Sequence, residues 1–99
     1  MSDLNFDLVV IGAGPAGYGA ALYAGGAGLK VAIVERADLG GTCLHRGCVP
    51  AKALLETAAV YRTVQNAEKF GVNSSDPEVD LSVAQGRKQS LVEDLAKGV

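Results

Sequence analysis

Two short runs of uninterrupted apolar residues stand out along the chain: Leu8-Val9-Val10-Ile11, between Asp7 and Gly12, and Val31-Ala32-Ile33-Val34, which ends at Glu35. Each predicts a strand buried on both faces, because such strands lack the alternation of half-solvated ones. Between them lies an alanine-rich stretch that reaches about Ala27 and is stopped by Gly28, the pattern of a helix. Pro15 fits its first turn, where a missing N–H has no helical partner to lose. Gly25 and Gly26 fall in or near the last turn, where a glycine weakens a helix by about 1 kcal/mol, and they are expected to mark fraying or close packing. Strand, helix and strand make a βαβ unit, for which a parallel, right-handed connection is the rule.

From Cys43 to about Lys69 the pattern is again helical, with Leu44, Cys48, Leu55, Ala59 and Arg62 roughly on one side and Phe70-Gly71 as the stop. Asn73 to Asp80 is a polar, proline-containing turn. A further helix follows, in which Ser82 and Gln85 have capping-box spacing, Leu91, Val92 and Leu95 supply an apolar stripe, and Lys97-Gly98 marks the end. Tyr18, Tyr23 and Tyr61 are expected to pack on helices rather than bind a ligand.

Composition narrows the class. At 99 residues the chain fits one small domain, and with 48% hydrophobic residues and a net charge of −2 it is neither disordered nor built to bind nucleic acid. No apolar run approaches the roughly 20 residues of a membrane helix. Asp3 and Asp7 stand where a signal peptide carries Lys or Arg, so the chain reads as cytoplasmic. Two cysteines in one short segment point, in a reducing compartment, to redox or metal chemistry rather than structural stapling.

Gly12, Gly14 and Gly17 have the spacing G-x-G-x-x-G. The first glycine allows a tight turn, the second lets backbone approach a pyrophosphate, and the third lets helix pack on strand. The helix start that follows offers free N–H groups and a positive dipole end to the phosphates. Alone the motif is weak. Here it follows a strand and opens a helix, and Glu35 stands 18 residues beyond Gly17 at the tip of the second strand, where its carboxylate can accept both ribose hydroxyls of an adenosine. The fold expected is therefore α/β: a Rossmann-like βαβ unit with parallel strands followed by two helices.

The second signal is Gly40-Gly41-Thr42-Cys43-Leu44-His45-Arg46-Gly47-Cys48-Val49-Pro50. Two Cα atoms five residues apart in a regular helix lie on the order of 8 to 9 Å from each other, whereas a disulfide needs less than about 7 Å. If the cysteines are bridged, the helix start is irregular, and Gly47 and Pro50 supply the means. So short a loop gains only about 2 kcal/mol of chain entropy from closure. Reversible dithiol–disulfide cycling suits such a pair better than stapling, and a helix N-terminus favours the thiolate that exchange requires. Two inert cysteines remain an alternative, as does a small metal-binding module using Cys43, His45 and Cys48, although structural zinc normally takes four ligands.

The glycine motif, Glu35 and the block Gly40 to Lys52 together resemble the N-terminus of the flavin-dependent pyridine nucleotide-disulfide oxidoreductases, over essentially all 99 residues. The run Cys48-Val49-Pro50-Ala51-Lys52-Ala53-Leu54-Leu55-Glu56 is most similar to the dihydrolipoamide dehydrogenase branch, with the glutathione and mercuric reductase branches as alternatives. The resemblance implies a bound FAD, with Gly12, Gly14 and Gly17 at its pyrophosphate, Glu35 at the adenosine ribose, Gly41 and Thr42 beside the pyrophosphate and flavin, and Pro15, Ala16 and Arg36 also among the cofactor-binding residues. It implies Cys43 as the sulfur that exchanges with substrate, Cys48 as the sulfur facing the flavin, and Lys52 near the flavin edge.

It further implies electron flow from dihydrolipoyl groups to NAD, lipoyl domains of 2-oxo acid dehydrogenase complexes as partners, and a homodimer. His45 and Arg46 depart from the Asn and aliphatic residue usual between the cysteines. His45 is read as a neutral variation, because the family's base comes from a distant segment of the partner subunit. Residues 1–99 are then expected to be the N-terminal part of an FAD-binding domain. NAD and dimerisation domains belong outside these residues, and no turnover is expected from them alone.

Overall fold

The computed structural model describes residues 4–99; Asp3, which entered the reading of the N-terminal charge, lies outside them. The apolar tetrads form strands β1 (Leu8–Ile11) and β2 (Val31–Val34), which pair in parallel with Leu8 opposite Val31 and Ile11 opposite Val34. Asp7 pins one end of this ladder, since its backbone N–H donates to the Lys30 carbonyl and its carboxylate accepts the Lys30 N–H, both at 2.8 Å. Gly12 extends the other end by donating its N–H to the Val34 carbonyl at 2.8 Å.

Helix α1 (Pro15–Gly26) connects the strands and carries Pro15 at its start. It ends in a Schellman motif, with the Leu29 N–H donating to Ala24 and the Gly28 N–H to Gly25, at 3.1 and 3.0 Å. Gly28 takes the left-handed conformation that the motif requires, with φ +93°. The close packing expected at Gly25 and Gly26 is absent, because open space surrounds both, and nothing in the structure explains these two glycines.

Where α1 meets the sheet the contact is backbone to backbone. A Cβ added at Gly17 would run into the Gly12 carbonyl oxygen, with the Gly12 carbonyl carbon at 2.9 Å and Val10 Cγ1 at 3.3 Å. Ala21 and Ala24 are buried on the same side of the helix. The expectation of strands buried on both faces does not hold: Ile11 is 88% exposed and Val9 51%. Among the described elements only α1 packs on both strands, so the opposite face of the sheet has no cover within these residues. Tyr23, expected to pack, instead projects from α1 and is exposed.

The stretch from Cys43 to Lys69 resolves into three elements rather than one. Helices α2 (Gly41–Arg46) and α3 (Cys48–Gln65) meet at Gly47, whose φ of −125° and ψ of −106° lie outside the helical region. A 3₁₀ turn, Ala67–Phe70, then closes on Gly71. Helix α4 (Leu81–Lys97) folds back along α3, and Arg87 Nη1 donates to the Ala53 carbonyl at 3.4 Å. The side of α3 turned to α4 carries buried Ala53 and half-buried Leu54, Thr57, Tyr61 and Val64, which meet Ala84 and Val92.

This is not the stripe expected from the sequence. Leu55, Ala59 and Arg62 lie on the exposed side of α3. Both sides of the helix are apolar, so periodicity alone did not separate them. Asp80 rather than Ser82 caps α4: its Oδ1 accepts the N–H groups of Ser82 and Val83 at 3.0 and 3.3 Å, and the Ser82 hydroxyl at 2.8 Å. The α3–α4 hairpin extends beyond the βαβ unit and gives the molecule its 68 × 25 × 16 Å dimensions.

Because Gly17 lies against the Gly12 carbonyl, Gly17→Ala is expected to destabilise the protein by about 1–3 kcal/mol, the usual cost of overpacking. Gly19→Ala, in open space on the same helix, is expected to be neutral or slightly stabilising. Chemical unfolding of the two variants checks the contrast.

Candidate functional site

The carboxyl ends of β1 and β2 open into a cleft of about 510 Å³, the position at which parallel α/β sheets bind ligands. Its wall includes Gly12 from the turn after β1, Glu35 and Arg36 after β2, and Gly41, Thr42, His45 and Arg46 from α2. Helix α1 begins at Pro15, with Gly14 as its N-cap and no side-chain cap. Pro15 has no N–H, so the unsatisfied donors of that turn are the backbone groups of Ala16 and Gly17.

Ala13 occupies the centre of this arrangement and is fully buried. Its N–H donates to Glu35 Oε1 at 2.9 Å. Its carbonyl accepts the Gly40 N–H at 2.9 Å. The glycine turn is thereby tied to the loop that enters α2, and the two segments approach closely. A Cβ on Gly41, whose φ is +78°, would stand 2.5 Å from Gly14 Cα. Glu35 also accepts the Ala37 N–H through Oε2, at 3.0 Å. These N–H groups, Ala13's first and Ala37's second, hold its carboxyl below the ordinary value of 4.5.

Cys43 and Cys48 are joined by a disulfide with a Cα separation of 4.7 Å. The break at Gly47 makes this possible, as it places the cysteines on two helices rather than five residues apart on one. Pro50 does not itself interrupt α3, since it lies in the first turn, where a missing N–H removes no helical bond. Cys48 is the first residue of α3 and is exposed, whereas Cys43 is half-buried in α2. The bond between the two sulfurs occupies the thiolates that the metal-binding alternative would need. Among the described residues no group of three or more His, Cys, Asp or Glu is placed to hold a metal ion.

The residues singled out in the sequence fall into three adjoining groups. Gly12, Glu35, Arg36, Gly41 and Thr42 share the cleft. Gly14, Pro15, Ala16 and Gly17 form the start of α1 next to it. Cys43, Cys48 and Lys52 stand on α2 and α3 outside the cleft wall, with Cys48 and Lys52 one helical turn apart. Sequence reasoning did not find Ala13, whose contribution is made by backbone groups alone. Arg46 was noted only as a departure from the usual residue, and the structure places it in the cleft.

The βαβ unit thus carries a glycine turn packed against Gly41 at the start of α2, and α2 is joined to α3 by a disulfide. The family model for pyridine nucleotide-disulphide oxidoreductases matches residues 6–98, and the chain belongs to that family. It is 50% identical over 95 residues to a dihydrolipoyl dehydrogenase of Bacillus subtilis (strain 168), covering 96% of this chain and 20% of that protein. The dihydrolipoyl dehydrogenase of Zymomonas mobilis is similar to the same extent, with 50% identity over 95 residues and the same coverage of 96% and 20%. The dihydrolipoyl dehydrogenase of Chlorobaculum parvum is 48% identical over 98 residues, covering 99% of this chain and 21% of its own length. The chain thus spans about a fifth of the length of the curated relatives it matches. No helix among the described residues is long and apolar enough to cross a membrane.

A folded carboxyl pKa below the unfolded one stabilises the fold at pH values above about 4.5, and that contribution is lost as the pH falls through the lower folded value. Glu35 is therefore expected to titrate below 4.5, and its protonation to release the Ala13 and Ala37 N–H groups. An NMR titration of the Glu35 carboxyl together with the Ala13 amide checks this; a midpoint at or above the ordinary value contradicts it.

Proposed function

We propose that residues 1–99 are the N-terminal part of the FAD-binding domain of a dihydrolipoyl dehydrogenase, which oxidises dihydrolipoyl groups and reduces NAD. The observation that carries this reading is the disulfide between α2 and α3, with the start of α2 at Gly41 packed against Gly14 of the glycine turn. The names of the relatives support the substrate. Lipoyl domains of 2-oxo acid dehydrogenase complexes are the proposed partners, a homodimer the assembly and the cytoplasm the location. NAD is assigned to a domain outside these residues. The uncovered side of the β1–β2 sheet supports the incomplete-domain reading, because apolar strand faces of this kind are normally packed.

The residues present fit a dinucleotide. Gly17 lies against backbone within the fold, and Gly12 takes a positive φ of 99°. Gly14 is different: its φ is −75°, and a Cβ there would be in ordinary contact, 3.8 Å from Gly41 Cα. The fold does not demand glycine at that position, whereas a pyrophosphate drawn up to the backbone does. Gly12, Gly14, Pro15, Ala16 and Gly17 are assigned to the pyrophosphate. Ala16 and Gly17 offer it their free N–H groups. Gly41 and Thr42 lie alongside.

Glu35 and Arg36 are assigned to the adenosine. The Glu35 oxygens accept the Ala13 and Ala37 N–H groups, and a carboxylate's roughly four lone-pair sites leave capacity for a ribose hydroxyl. FAD, when bound, supplies the two-electron acceptor for the reduced cysteine pair.

The chain's own chemistry is thiol–disulfide exchange. A substrate thiolate attacks Cys43 Sγ, the bond between the cysteines breaks, and Cys48 leaves as a thiolate. The second substrate thiol, losing its proton, then attacks the mixed disulfide; the substrate closes its own disulfide and Cys43 leaves reduced. Two electrons pass to the cysteine pair. The N-terminus of α3 favours the Cys48 thiolate through its dipole and free N–H groups. Lys52, one turn along the same helix, adds positive charge on that side.

The full-length protein is expected to be yellow, and to titrate two thiols at Cys43 and Cys48 only after reduction. Cys43→Ser is expected to lower dihydrolipoamide oxidation by at least about 10³-fold while leaving the flavin spectrum in place. A colourless wild-type protein, or a Cys43→Ser enzyme with undiminished turnover, overturns the assignment.

A further inference from the structure

His45 lies between the two cysteines, and neither the disulfide exchange nor the dinucleotide contacts described above uses it. Its imidazole Nε2 is 2.7 Å from the Leu39 carbonyl oxygen. A carbonyl can only accept, so Nε2 carries the hydrogen and donates it. The ring also lies over Gly40, where an added Cβ would stand 3.2 Å from Nε2 and would collide with the Leu44 side chain. The following residues make the consequence clear. Gly40 donates to Ala13, Gly41 packs against Gly14, and Ala13 is held from its other side by Glu35. The His45 side chain therefore closes a ring of contacts from α2 back through residues 39–41 to the turn at the start of α1.

We infer that His45 is a positioning residue that couples the disulfide-bearing helix α2 to the dinucleotide cleft, by fixing the carbonyl of Leu39 and with it the Gly40–Gly41 loop. This rests on the assignment of the cleft to a dinucleotide. The ring donates through Nε2 and need not exchange a proton with substrate, so the position calls for a donor of the right reach rather than a base. Glutamine has an amide N–H at similar distance from its Cα and meets that need; alanine does not. The loop it holds supplies backbone at the cleft, so its loosening is felt as weaker dinucleotide binding. The disulfide is formed by α2 and α3 across Gly47 and is not touched by this bond.

The test uses the full-length protein, with FAD removed and added back. His45→Ala is expected to weaken FAD binding by about three- to tenfold, the effect of one lost hydrogen bond, and His45→Gln to restore it to within about twofold of wild type. The equilibrium of the cysteine pair with a glutathione buffer is expected to be the same in all three proteins, which a general disturbance of the fold would not allow. Equal FAD affinity in wild type and His45→Ala overturns the inference and leaves the cofactor assignment standing. Failure of Gln to rescue, with Ala impaired, overturns the hydrogen-bond role. A wild-type protein that binds no FAD refutes both. If His45→Ala does not fold, the Gln variant decides alone: wild-type affinity supports the role, and a loss comparable to that expected for Ala refutes it.

Discussion

Ala13 has its N–H bound by Glu35 and its carbonyl bound by Gly40, and it is shielded completely from solvent. A buried residue has to satisfy both its backbone N–H and its carbonyl or lose the free energy of desolvation without return. Meeting that demand here draws three separate segments together: the turn after β1, the tip of β2 and the loop that enters α2. The turn after β1 lies more than 20 residues before the other two segments, and its own positions, Gly12 to Gly14, offer little side chain to bury. The cleft, the exposed start of α1 and the approach of α2 meet at the two backbone hydrogen bonds of this one residue.

The disulfide belongs to the same construction at its other end. Placing the sulfurs of Cys43 and Cys48 together needs a break in the helix, and Gly47 provides it without unravelling either side. Helix α3 then starts afresh at Cys48, which gives that sulfur a helix N-terminus of its own. One interruption of the backbone thus brings the sulfurs within bonding range and sets one of them in the field of a long helix.

Much of this could be read from the residues. The strands fell on the two apolar tetrads, because an unbroken apolar run has one simple reading when glycine and acid bound it. The need for an irregular helix start followed from the reach of a disulfide. Other features were not accessible. The inward side of α3 was misassigned because Leu55 and Ala59 are as apolar as Leu54 and Tyr61, and only the position of α4 separates them. Ser82 has the right spacing for a cap, but Asp80 precedes it and accepts its hydroxyl as well as its N–H. The strand faces were expected to be buried on the strength of their composition, and burial depends on what lies across from them. Ala13 gave no signal, since a side chain of one methyl carries no message about its peptide.

Among the described residues the buried apolar positions are almost all small: Ala13, Ala21, Ala24, Ala53 and Ala84, with only Leu44 and Val92 larger. Backbones meet at nearly their closest distance, and cohesion comes from contact between main chains rather than from interlocking side-chain volume. Genetic tolerance is inverted as a result. Trimming side chains to alanine, the usual way to map a protein interior, would pass silently over most of this one. A survey that adds carbon atoms, position by position, would trace it.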